Sequence, residues 1–161
     1  MISLFRSNHD DPGALGIMRR ILMGIFLMGL LGTGTELLLM DHTEEFWQYI
    51  PLVLMAISLV AVVWIGLGRR SYKGIRVFQG LMVLLVLSGP AGLILHFQSN
   101  AAFEQEMYPS ITGFDLFFEA ITGTTPPTLA PGTMILLGLI GLAYTYKHPD
   151  LSTALESQQK T

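Results

Sequence analysis

Five side chains in this sequence are of the types that share a proton or a cation: Glu36, His42, Glu45, His96 and Glu119. Imidazole together with carboxylates suits a divalent transition metal, whereas carboxylates alone suit calcium or magnesium. His42 and Glu45 are three residues apart and share a face wherever that stretch is helical. The spacing goes no further than that: there is no HxxxH, and the metal, if any, is unknown. A single histidine near a helix end is no basis for haem ligation, and His9 and His148 fall on the other side of the topology given below.

Glu36 stands out because it lies four residues inside the end of the apolar run 21–40. A carboxylate within a membrane helix costs a few kcal/mol and is by default a functional candidate. Four residues are only about 6 Å of helical rise, so the penalty is partial. A structural role, hydrogen-bonding Thr33, Thr35 or a neighbouring chain, weighs equally. A second group of acids, Asp41, Glu44, Glu104, Glu106 and Asp115, joins Glu45 and Glu119 in segments with no Lys or Arg. That pattern fits either a solvated surface or docking to a basic partner by charge complementarity.

These groups are positioned by strongly apolar elements. The chain has 161 residues, 51% hydrophobic and only 13% charged, with a mean hydropathy of +0.53. Its apolar residues gather into four runs, 21–40, 49–68, 77–96 and 128–146, and a bilayer core of about 30 Å takes about 20 residues of helix. The expected fold is therefore all-α, a polytopic bundle of four transmembrane helices in one membrane domain. No run alternates polar and apolar residues as a barrel strand would. The first run is longer than a signal-peptide core and closes on no small-x-small site, so it is expected to be a retained helix.

The nine Lys and Arg residues fall before the first run (Arg6, Arg19, Arg20), between the second and third (Arg69, Arg70, Lys73, Arg76) and after the fourth (Lys147, Lys160). All three segments lie on one side of a four-helix topology. The positive-inside rule makes that side cytoplasmic, with both termini inside, as in a bacterial-type inner membrane. Residues 1–17 then form a cytoplasmic tail and 147–161 another.

The outer connection 97–127 is long enough to carry structure of its own. In "TGFDLFFEAITG", Phe114, Phe117, Phe118 and Ile121 form an apolar stripe with Asp115 and Glu119 on the other side. This predicts an interfacial amphipathic helix capping the periplasmic or extracellular mouth. The following "TTPPTLAPG" is expected to exclude regular helix up to Pro131. On the first helix, Gly29, Gly32, Thr33, Glu36 and Met40 share a face whose small residues invite close approach, so that face is expected to point into the bundle. Glu36 would then meet His96, which lies at similar depth on the third helix.

The absence of cysteine excludes disulfides, thiolate zinc sites, covalent c-type haem and thiol chemistry in this chain. No nucleophile and base constellation, phosphate loop or zinc motif is present, which leans against an enzyme. Two readings remain. One is an accessory or structural subunit of a larger membrane complex, with an acidic outer docking face. The other is a small oligomeric transporter, or a membrane protein that binds a proton or cation at Glu36 and His96. The expected partners are the lipid bilayer and another protein or further copies of this chain, not nucleic acid.

Overall fold

In the computed structural model the residues described are 13–41, 43, 45–68, 71–122 and 129–151. Expectations placed on residues 1–12, His42, Glu44, Arg69, Arg70, 123–128 and 152–161 lie outside them. Among the described residues all regular structure is helical: α1 (Ala14–Leu39), a single 3-10 turn (Phe46–Gln48), α2 (Tyr49–Gly66), α3 (Tyr72–Met107), α4 (Gly113–Thr122) and α5 (Leu129–Thr145). Three of these, α1, α2 with its preceding turn, and α3, are long and apolar enough to cross a membrane.

Helix boundaries follow local chemistry more than the edges of the apolar runs. The Ser71 side chain accepts the Gly74 N–H at 3.1 Å and caps α3, which therefore starts five residues before the run 77–96. Nothing stops α3 at His96. It continues as one helix of 36 residues to Met107, about 54 Å at helical rise. The first part of the connection 97–127 is thus a continuation of this helix. Pro90 lies within α3; its ring nitrogen leaves the Val86 carbonyl without the usual donor, and nearby the Ser88 hydroxyl donates to the Leu85 carbonyl at 2.8 Å.

The expectation that regular helix starts only after Pro131 is corrected: α5 begins at Leu129. Pro131 falls in the first turn, where backbone N–H groups have no intrahelical acceptor, so the ring costs little. Pro51 occupies the corresponding place in α2.

Specific contacts fix the register. Arg19 at the start of α1 meets the end of α5 at Tyr146 and Lys147, and Gly29 faces Leu137, so α1 and α5 are antiparallel. Gln79 bonds Thr145 and Gly89 faces Pro131 and Ile135, so α3 and α5 are antiparallel too. α5 lies between α1 and α3, while α2 packs on α3 and, more lightly, on α1. The four long helices form a ring in which α1 and α3 are diagonal partners.

The bundle core is closed by large apolar side chains. Phe26, Ile75, Phe78, Met82 and Leu85 are fully buried. Phe78 meets Phe26 edge-on at 5.8 Å and Tyr144 at 5.9 Å, so one aromatic chain crosses the bundle from α1 through α3 to α5. Met23, Met55, Met82 and Met134 fill the spaces between helices, as expected of an unbranched, polarizable side chain.

The closest approach is between α3 and α5, where Gly138 and Gly141 sit against Met82 and Val86, and Gly89 sits against Pro131 and Ile135. In lipid, helix association depends on such van der Waals contact rather than on exclusion of water.

Candidate functional site

The structure does not gather the residues that sequence reasoning placed together. α1 buries Arg19, Met23, Phe26, Leu30 and Leu37, a stripe of helical spacing. Glu36 is rotated about 100° from Leu37 and is exposed, as are Gly32 and Met40, with Gly29 and Thr33 half-buried. The expected inward glycine face is therefore turned partly outward. Among the described residues the Glu36 side chain makes no hydrogen bond or ion pair.

His96 is half-buried on α3, diagonally across the ring from α1, so similar depth does not become contact. α5 packs against both helices, its glycines against α3 and Leu137 against Gly29 of α1, and Glu36 lies off the buried stripe of α1.

His42 and Glu44 lie outside the described residues. Glu45 is exposed just before the 3-10 turn, where its backbone N–H donates to the Gln48 side chain at 3.1 Å. Asp41 follows α1 with a left-handed φ of 49° and is exposed. Glu104 and Glu106 lie on the outward extension of α3, half-buried and exposed respectively. Among the described residues no three His, Asp or Glu side chains assemble as metal ligands.

Asp115 and Glu119 belong to α4. α4 docks on α3 through Ala120, fully buried, through a hydrogen bond from Asn100 Nδ2 to the Ala120 carbonyl at 3.0 Å, and through Phe117 against Phe97 at 5.7 Å. The predicted stripe is present: Phe114 is close to both Phe117 and Phe118, at 6.3 and 6.4 Å. Among the described residues Phe117 is the α4 ring that meets a ring of α3. Phe114 and Phe118, 75% and 54% exposed, border the acidic row instead. Together with Ile111, Asp115 and Glu119 they line a shallow groove of about 280 Å³.

Replacing Asn100 with alanine is expected to remove about 1 kcal/mol of docking energy. The measurement is hydrogen exchange, which should quicken in α4 while α3 and α5 keep their protection.

The most organised polar region is at the opposite end of the bundle, and its core-facing arginine was read from sequence only as a topology charge. Arg19, 6% exposed, donates from Nη2 to the carbonyls of Tyr146 and Lys147 at 3.0 and 2.5 Å. A guanidinium thereby covers the carbonyl end of α5, where its charge also suits the helix dipole. Beside it, Gln79 Nε2 donates to Thr145 Oγ1 at 2.9 Å, and that hydroxyl donates to the Leu142 carbonyl at 2.8 Å. Arg76 extends the chain, donating to Gln79 Oε1 at 3.1 Å and to the Tyr72 hydroxyl at 3.2 Å.

His148, 2% exposed, lies against the Tyr144 ring at 5.6 Å, and its Nδ1 accepts the Asp150 N–H at 3.4 Å. The same Nδ1 lies 3.6 Å from Asp150 Oδ2. The signal for Arg19 was present in sequence: it is spaced four, seven and eleven residues from Met23, Phe26 and Leu30, in register with the buried stripe.

No family model, no curated protein and no solved structure matches this chain.

Proposed function

We propose that this chain is a small non-catalytic membrane protein, an accessory or structural subunit of a larger membrane complex that offers an acidic outer face for docking. In this reading α5 is a fourth crossing. Its 17 residues give about 25 Å of rise, and its contacts run from the level of Gln79 to that of Gly92 on α3. Both termini are cytoplasmic by the distribution of Lys and Arg, the membrane is of the bacterial inner type, and α4 lies at the outer interface. Phe97, which α4 touches, is the first residue after the apolar run of α3.

The observation that carries the proposal is how the polar groups are divided. The hydrogen bonds of Arg19, Gln79 and Thr145 join one helix to another and hold the bundle together. The core between the helices is packed with Phe26, Phe78, Met82, Leu85 and Leu137, which leaves little room for a polar path through this chain. By contrast Asp41, Glu106, Asp115 and Glu119 are exposed, and the outer connections supply no Lys or Arg to meet them. Charges with no internal work are available to a partner.

The test is native mass spectrometry of the protein extracted in mild detergent from its own membrane. A foreign chain at fixed stoichiometry is the expected result. A homo-oligomer that carries a metal or small ligand, lost on Glu36→Gln, would overturn the proposal in favour of a transporter or cation-binding protein.

A further inference from the structure

The groove along α4 has features that narrow what would dock there. Phe114 and Phe118 stack at 6.4 Å with their planes 26° apart, and both residues are more than half exposed. Asp115 and Glu119 are one helical turn apart in the adjacent row, where like charges repel. Neither has an ion pair among the described residues, and no Lys or Arg occurs anywhere in the outer connections to relieve them. The site therefore combines a flat apolar floor with two carboxylates of fixed spacing.

We infer that this groove receives a segment of a partner protein that presents two arginine or lysine side chains one helical turn apart beside an apolar residue. The inference rests on the accessory reading above and names the chemistry of its partner. A guanidinium can lie on a phenyl face while donating to a neighbouring carboxylate, so Phe118 and Asp115 or Glu119 would act on the same side chain. An acyl chain lying on the floor would satisfy neither carboxylate. A partner helix with cations four residues apart matches the spacing of Asp115 and Glu119 and lays its own apolar residue on Phe114.

The experiment uses the full chain in phosphatidylcholine nanodiscs and a fluorescent amphipathic peptide with two arginines one turn apart and a leucine between them, read by anisotropy. The expected result is binding that weakens roughly tenfold in the Asp115→Asn, Glu119→Gln double variant and falls on raising salt from about 50 to about 300 mM. Phe118→Ala should weaken it as well, with arginine more affected than lysine. Binding equal to that on empty nanodiscs, or unchanged in the double variant, would overturn the inference.

A second readout asks whether lipid fills the groove. In a chain whose native Trp47 and Trp64 are replaced by phenylalanine, Phe118→Trp should be quenched by acrylamide and protected by the peptide, whereas strong quenching by brominated acyl chains would also overturn it. If the peptide fails while a foreign chain still co-purifies, the groove assignment falls and the accessory reading stands.

Discussion

Gly138→Leu is expected to separate α5 from α3 and to cost about 3 kcal/mol or more, the upper range for overpacking a close interface. A Cβ at this position would lie 2.6 Å from the Met82 carbonyl oxygen and 2.9 Å from the Val86 nitrogen. Both are backbone atoms of a continuous helix, so neither can rotate away as a side-chain tip could. Unfolding in mixed detergent micelles, followed by circular dichroism, measures the loss. Gly24→Ala is the control: a Cβ there meets nothing within 4 Å, and stability should be unchanged or rise by up to about 1 kcal/mol through helix propensity. Equal losses in the two variants would mean that backbone approach between α3 and α5 is not what holds the bundle.

The second large effect is expected from Arg19→Met. The substitution keeps an unbranched apolar stem and removes the guanidinium that covers the carbonyls of Tyr146 and Lys147. A loss of about 2–3 kcal/mol follows, because hydrogen bonds from a charged donor exceed neutral ones and the carbonyl end of α5 is left uncovered. Hydrogen exchange should quicken over the last turn of α5 first. Arg19→Lys keeps the charge but not the forked donor geometry, so an intermediate loss is expected. Arg20→Ala, at an exposed neighbour, should stay within about 0.5 kcal/mol. A large loss at Arg20 with none at Arg19 would reverse the assignment of which arginine faces the core.

Much of the architecture was legible without a structure. Apolar length alone located α1, α2 and α3, and the start of α2 coincides with the predicted residue 49. The amphipathic stripe of "TGFDLFFEAITG" located α4, because charged and aromatic residues there alternate with helical period. The candidate site was legible only in part. Asp115 and Glu119 are exposed, but the groove they border depends on Ile111 and on how α4 docks through Ala120. Glu36 and His96 were paired on depth, which the sequence carries, and their separation depends on facing.

Facing is where sequence reading weakens in such a chain. A soluble helix marks its buried side by contrast with a polar one, whereas α2 and α5 are apolar nearly all round, so their buried sides leave almost no periodic trace. Arg19 is the exception, and its register with Met23, Phe26 and Leu30 could have shown the core face of α1.

By itself, then, the sequence determined an all-helical chain with three helices long and apolar enough to cross a membrane, and a separation of basic from acidic segments, since length, composition and charge are properties of the chain. Tertiary structure alone decided that α5 stands between α1 and α3 and that the guanidinium of Arg19 closes on the carbonyls of Tyr146 and Lys147. Those outcomes rest on where a glycine lets one backbone approach another, and such an approach exists only between helices already in contact.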